Sequence, residues 1–394
     1  MLTFNGIRWI KPKNPAGKRV LVRVDFNVPI KNGKIEDDFR IKAHLPTLHA
    51  LLKGQNTVII LTHIGKPAGK KIPAFSARPI ARRLSKLLKR RVTLISNPFT
   101  LPAARTIKNA PAGSIFVIEN LRFWNGEEKK DETFANNLSR LGDVFVQDAF
   151  GVIHRAHASI TRLPFLLPSY GGLLLKKELT ALKPLATNPK RPFVVIMGGV
   201  KISTKLALIR AFSQKADRVL LGGALANTIL AALASPVGKS VIEKKTIPAV
   251  KRMLANGTKL VFPKDAVVAS TQNARRGTKK LIADIAKTEI ILDIGPETAT
   301  AFIRELNRAK TIFWNGPLGF VENNAFRAGT LKVARAIHKL RCYKVIGGGD
   351  LIAFFHKRNL ASRISHFATG GGSTLTLLAG KKLPGLEALK KAKR

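Results

Sequence analysis

The chain has 394 residues, enough for about two or three domains with a sizeable core. Hydrophobic residues make up 45% and mean hydropathy is +0.04; the apolar runs are too short and interrupted to span a membrane, and Met1-Leu2-Thr3-Phe4-Asn5 lacks the charged-then-apolar pattern of a secretory signal. Lys+Arg 69 against Asp+Glu 23 gives a formal charge of +46, which favours anionic partners, and the single cysteine, Cys342, excludes an internal disulfide and suits a reducing cytoplasm.

Apolar, β-branched runs alternate with helical stretches. Strands are predicted over 19–24, 57–62, 114–119, 144–147, 193–197, 218–221, 290–292, 311–314 and 344–346. Continuous apolar runs between helices indicate parallel sheets covered on both faces, and their number indicates two αβα domains. A helix over 77–91 places Ile80, Ala81, Leu84, Leu87 and Leu88 on one face and Arg82, Arg83, Lys86, Lys89, Arg90 and Arg91 on the rest. It lies within residues 39–118, which hold fifteen Lys and Arg and no acid. Such a surface is either a solvated face in a generally basic chain or a weak, non-specific nucleic-acid site. Gly171-Gly172 opens a helix over 173–185 and reads as a hinge, with Pro184 near its end. The expected organisation is a first domain over 1–172, a hinge helix over 173–187, a second domain over 188–383, and a tail over 384–394 that either frays or packs on the first domain.

In the first half, Arg23, Asp25 and Asn27 alternate with Val22, Val24, Phe26 and Val28, so the polar set shares one face. Arg40, His63, Lys66, Arg122 and Arg155 follow, most of them at or just beyond strand ends, where ligands of open α/β sheets bind. Guanidinium groups bind carboxylate and phosphate in bidentate fashion, so the set reads as a pocket for a small, highly charged acid. Taken singly, Asp25 could simply pair with an arginine and His63 could be a satisfied core histidine. In the second half, Gly198-Gly199-Val200-Lys201 leads through Lys205 into a helix, and Gly222-Gly223 marks a second strand-to-helix turn. Asp293-Ile294-Gly295-Pro296 is a further turn. Trp314-Asn315-Gly316-Pro317 leads to Glu322, and the triplets Gly347-Gly348-Gly349 and Gly370-Gly371-Gly372 precede helices, the first with Asp350 behind it. Glycines at such junctions let phosphate approach backbone N–H groups. The Walker spacing is absent.

From about Lys18 to Leu386 these motifs, in this order, resemble the phosphoglycerate kinase family. The resemblance implies two Rossmann-like αβα domains, each with a central mostly parallel sheet, joined by a hinge helix. It implies that Arg23, Asp25, Asn27, Arg40, His63, Lys66, Arg122 and Arg155 hold 3-phosphoglycerate. Gly199, Lys201, Lys205, Gly222, Gly223, Asn315, Pro317, Glu322, Gly348, Gly349 and Asp350 would hold the nucleotide, with Glu322 on the ribose and Asp350 on Mg²⁺. Arg40, Lys201, Gly371 and Gly372 would stabilise the transferring phosphoryl group.

The implied reaction is reversible phosphoryl transfer between 1,3-bisphosphoglycerate with ADP and 3-phosphoglycerate with ATP, in glycolysis, by a cytoplasmic monomer. The acceptor carboxylate is ionised at neutral pH and needs no general base. Transfer between two domains calls for hinge closure. Four positions depart from the pattern: Lys66 replaces Arg, Thr204 replaces Asp, Leu351 replaces a hydroxyl residue and Ala368 replaces Ser. A competing reading is a degenerate kinase scaffold that binds nucleic acid through its charge; a kinase that also binds RNA or a membrane fits the same residues.

Overall fold

The computed structural model describes residues 4–11, 14–255 and 259–393. The first three residues of the expected start and the last residue of the expected tail therefore lie outside the described residues. The chain divides into two compact units, Met1–Thr180 with Lys382–Arg394, and Ala181–Lys381.

The strands of the first unit are β1 (Arg19–Arg23), β2 (Ile30–Lys31), β3 (Lys34–Ile35), β4 (Thr57–Leu61), β5 (Thr93–Ile95), β6 (Ile115–Ile118), β7 (Val144–Gln147) and β8 (Ser169–Gly171). Six of them form an all-parallel sheet in the order β5-β6-β4-β1-β7-β8, while β2 and β3 make a small antiparallel hairpin. The period-two rule sorts the core into two layers. Val20, Val22, Val58, Ile60, Val117 and Val146 pack on one face against Ile41 and Leu48 of helix Phe39–Lys53 and Ile80 and Leu84 of helix Arg78–Leu88. Leu21, Ile59, Leu61, Phe116, Ile118 and Phe145 point the other way, onto Phe134 and Leu138 of helix Glu132–Ser139 and onto Leu163. Burial on both faces is why these strands read as continuous apolar runs.

The helix expected over 77–91 spans Arg78–Leu88 and stops where Lys89 turns left-handed (φ 52°) and donates its N–H to the Ser85 carbonyl. Its basic residues are not equivalent: Arg83 reaches Asp38 with Nε at 2.9 Å. One of the six supposedly free cations is thus neutralised by an acid just outside the acid-free stretch. Gly171 donates its N–H to the Arg8 carbonyl (2.7 Å) and Gly172 to that of Gln147 (2.9 Å), so both amides are engaged within the first unit. The following helix runs from Leu173 to Ala186 and carries Pro184 inside its last turn.

The tail helix Pro384–Lys390 belongs to the first unit. Gly385 donates its N–H to the Ile153 carbonyl (3.0 Å), and a Cβ there would fall 2.5 Å from Ile160. The Lys393 carbonyl accepts from Arg8 Nη2 (2.7 Å), and Leu383, Leu386 and Leu389 are buried.

The second unit contains β9 (Phe193–Met197), β10 (Arg218–Leu221), β11 (Leu260–Val261), β12 (Asp265–Ala269), β13 (Thr278–Leu281), β14 (Ile290–Ile294), β15 (Thr311–Asn315), β16 (Tyr343–Gly347) and β17 (His366–Ala368). Its main sheet is again all parallel, in the order β11-β10-β9-β15-β16-β17. A separate antiparallel sheet, β13-β12-β14, packs Ala266 and Val268 with Leu230, Ile282 and Ile285. That sheet was not anticipated as a separate element. Among the described residues, no helix is long and apolar enough to cross a membrane.

Candidate active site

In the first unit the chain reverses its direction of travel along the sheet at β1, whose neighbours are β4 and β7. Crevices at such switch points, beyond the carboxyl ends of strands, are where open α/β sheets bind ligands. Arg23 ends β1, and the segments after β4, β6 and β7 carry the other basic residues singled out there except Arg40, which comes from helix Phe39–Lys53.

Arg23, the last residue of β1, is closed to solvent. Its Nε donates to Ser159 Oγ (2.8 Å), its Nη1 to the Val24 carbonyl (2.6 Å), and its Nη2 lies 3.5 Å from Glu127 Oε1. Burial lowers its pKa, with Glu127 and Asp25 acting in opposition. Glu127 is itself fully buried and accepts from Ser159 Oγ (2.6 Å) and the Ser159 N–H (2.9 Å). Arg23 is therefore locked at the end of β1 by Ser159 and Glu127, two residues that carry no role in the sequence pattern. Glu127 sits in a short acidic run that reads as solvated, so no sequence signal marks it.

Asp25 receives Arg40 Nη1 at 2.8 Å, and its Oδ1 accepts the Asn27 N–H at 3.3 Å. Burial pushes its carboxyl upward, but the surrounding cations, Arg40 foremost, outweigh it and leave the pKa below the ordinary value. His44 locks this pair. Its Nδ1 lies 2.8 Å from the Arg40 carbonyl, which can only accept, so Nδ1 carries the proton and Nε2 accepts the Asp25 N–H (3.3 Å). His44 was missed, although its spacing of four from Arg40 puts both on one helix face.

Asn27 Oδ1 accepts the Gly65 N–H (2.9 Å), and Arg122 Nη1 donates to the Gly65 carbonyl (2.6 Å). Asn120 bonds the Ile64 N–H and carbonyl and the Phe75 carbonyl, fixing the loop that carries His63 and exposed Lys66. Arg122 Nε lies 3.1 Å from Glu128, yet its buried Nη2 lacks any hydrogen-bond acceptor, as does Arg155 Nε. Buried guanidinium donors left unmatched are costly, and a bound oxyanion would satisfy them. Burial drives the pKa of His63 well below its ordinary value, and that of His157 to about 3, with neighbouring arginines adding to the effect. Both rings are neutral at pH 7, so the positive charge here is carried by arginine and lysine.

In the second unit the switch point lies between β9 and β15. Gly198 donates its N–H to the Asn315 carbonyl (2.9 Å) and Gly199 to that of Pro317 (2.7 Å). The approach is too close for side chains: a Cβ on Gly198 would fall 2.1 Å from the Pro317 oxygen, and Gly316 adopts φ 85°. Gly223 donates to the Leu318 carbonyl (2.9 Å), drawing the turn after β10 into the same cradle.

Lys205 folds its Nζ onto the Gly198 carbonyl. Burial lowers its pKa to about 8, and the Asp350 carboxylate opposes that shift. Lys205 thus feels the charge of Asp350, while Lys201 and Glu322 stand exposed. Asp350 lies in the first turn of helix Gly349–Lys357, behind Gly348 at φ 96°. Gly371 (φ 46°) precedes helix Gly372–Leu378, where the Ser373 N–H turns back to the Gly370 carbonyl (2.9 Å).

Leu351, which stands in place of a hydroxyl residue, is wholly buried and belongs to the core. The turn at Asp293 is a structural bracket: its carboxylate accepts the N–H groups of Ile294 (2.9 Å) and Gly329 (2.7 Å), and burial raises its pKa to about 7 against those bonds. Among the described residues, no cluster of three or more His, Cys, Asp or Glu has the arrangement of a metal site.

A family profile described as Phosphoglycerate kinase matches residues 10–381. A protein of Pelotomaculum thermopropionicum with that name is 42% identical over 378 residues, covering 95% of this chain and 96% of its own. Its namesake from Borreliella afzelii is 42% identical over 392 residues, covering 98% and 100%. The structure is similar to that of phosphoglycerate kinase from Coxiella burnetii (TM-score 0.82, 37% identity, 96% and 98% covered) and to that from Pyrococcus horikoshii (TM-score 0.87, 30% identity, 97% and 98% covered).

Proposed function

The chain belongs to the phosphoglycerate kinase family, and we propose from that membership that its two strand-end sites divide the two substrates of that reaction between them. The observation that carries the division is chemical. The first unit carries Arg40, Lys66, Arg122 and Arg155, and buried guanidinium donors of Arg122 and Arg155 are left unmatched, which suits a small polyanionic acid. The second presents a glycine cradle with Lys205 and Asp350, as a nucleotide polyphosphate requires.

In this reading, Arg122 and Arg155 take the phosphate of 3-phosphoglycerate, with His63 and Lys66 beside them, and Arg40, aligned by Asp25 and His44, faces its carboxylate. Arg23 and Asn27 position the others. Gly199, Gly222, Gly223, Asn315, Pro317, Gly348 and Gly349 enclose the nucleotide, Glu322 takes the ribose and Lys205 its phosphates. Lys201, Arg40 and the amides of Gly371 and Gly372 meet the charge on the transferring group.

A lone exposed carboxylate such as Asp350 fits a Mg²⁺ ion that brings phosphate oxygens as its other ligands, and does not suit a metal held by protein alone. When bound, Mg²⁺ would neutralise nucleotide phosphate charge. The attacking carboxylate is already ionised, so these residues orient and neutralise; none has to move a proton. Direct transfer requires the two ligands to meet, and the helix Leu173–Ala186, which runs across the boundary between the units, is our candidate hinge. We also place the protein in the cytoplasm as a monomer. Nothing in the comparisons favours a degenerate, nucleic-acid-binding scaffold in place of the kinase.

The test is a coupled assay of the purified protein with MgATP and 3-phosphoglycerate. Steady formation of ADP and 1,3-bisphosphoglycerate is expected; a rate equal to that of buffer would refute the proposal.

A further inference from the structure

Helix Arg78–Leu88 and the end strand β5 enclose a groove of about 540 Å³ on the first unit. Arg78, Arg82 and Lys86 line the helix side, all exposed, and no acidic side chain lines the groove. Spaced by four residues, the three cations repeat about every 6 Å along the axis and span about 12 Å. The opposite wall is formed by Val92, Leu94 and Ser96, alternate residues that share one side of the strand. Arg83, on the same helix, is committed to Asp38 and faces elsewhere.

We propose that this groove binds the phosphodiester backbone of a single-stranded nucleic acid. A single phosphate cannot reach from Arg78 to Lys86, whereas a chain of phosphates can engage all three. The three cations form a single row along the helix, which one phosphodiester backbone can follow. Inorganic polyphosphate shares the phosphate chemistry, but it has nothing to place against the partly exposed Val92 and Leu94; a nucleotide chain has sugars and bases. No aromatic side chain lines the groove to stack bases, so recognition is by backbone and carries no sequence preference. The site does not depend on the kinase assignment, and none of its three cations belongs to the substrate or nucleotide sets.

The test is fluorescence anisotropy of a labelled oligouridylate with the full chain, between about 50 and 200 mM salt. A chain of +46 attracts any polyanion, so the readout is local. Arg78→Gln/Arg82→Gln/Lys86→Gln should weaken binding at least tenfold at low salt. It should also reduce the slope of log K against log salt by about 2, since each single-strand phosphate contact contributes roughly 0.7. The same charge change made by Lys244→Gln/Lys245→Gln/Lys251→Gln in the second unit should leave the slope near that of the wild type. Ser96→Glu, which adds a carboxylate to the other wall, should weaken binding without touching the helix. Equal losses in both triple variants, no retention at low salt, or tighter binding of inorganic polyphosphate than of an oligouridylate of equal charge would each overturn the proposal.

Discussion

Leu351 shows how one side chain's burial changes a prediction made from its neighbours. From its place after the Gly348-Gly349-Asp350 segment, a threonine there should restore a phosphate contact and lower the nucleotide KM. With the side chain wholly buried, Leu351→Thr instead puts a hydroxyl into an apolar setting and removes packing. A loss of about 1–3 kcal/mol in chemical denaturation, with the nucleotide KM unimproved, is expected. Lys205 sets a pH dependence. Its pKa of about 8 means that it loses its proton as pH rises through that value, and an uncharged amine no longer attracts phosphate. Nucleotide KM should therefore rise above about pH 8, by at most tenfold per pH unit, and Lys205→Met should abolish that step. Arg40→Ala and Lys201→Ala should each lower kcat on the order of 10²–10³-fold with unchanged circular dichroism. Most cationic residues of the first site were legible because they sit at or just beyond strand ends; Arg40, on helix Phe39–Lys53, was carried by the family resemblance. Glu127 and Ser159 were not, because their role lies in whom they touch, across up to 136 residues of sequence.

Apolar runs located the inner strands of both main sheets, β1, β4, β6, β7, β9, β10, β15 and β16, because parallel strands buried on both faces show no polar interruption; the short outer strands β5, β8, β11 and β17 were not located. Of the antiparallel sheet only β14 was located, over 290–292; β13 escaped because it reads Thr278-Lys279-Lys280-Leu281, largely exposed, and resembles a loop. The hairpin of β2 and β3 was legible in principle, since Asn32-Gly33, with φ of 49° and 71°, is the residue pair that a tight two-residue turn requires. At the junction of β9 and β15 the decisive feature is backbone against backbone. Gly198→Ala would force the Pro317 carbonyl away by an ångström or more, because a Cβ at 2.1 Å cannot be accommodated. We expect a nucleotide KM raised at least tenfold, while binding of 3-phosphoglycerate to the first unit, measured by calorimetry, is unchanged.

The two units draw on the chain unequally: the first takes both ends of the described chain and the second an uninterrupted middle. The division at Thr180–Ala181 falls inside the helix over 173–187 that the sequence marks as the connection between domains, and a helix that runs from one unit into the next carries no break in its pattern to place the division more narrowly. Deleting residues from 382 onward removes three buried leucines, each worth roughly 1.5–3 kcal/mol. Thermal unfolding of the first unit should move to markedly lower temperature, while nucleotide binding by the second persists. The same arrangement bears on the order of events at the ribosome. Domains generally fold as units, amino-terminal first, as the chain emerges. Here the unit that begins synthesis cannot be completed until its last helix arrives, after the whole of the other unit has been made. Until then Ile153 and Ile160 lack the cover of Gly385 and its neighbours, so the nascent chain carries an open apolar seam in the earlier-made unit while the later-made one is free to finish.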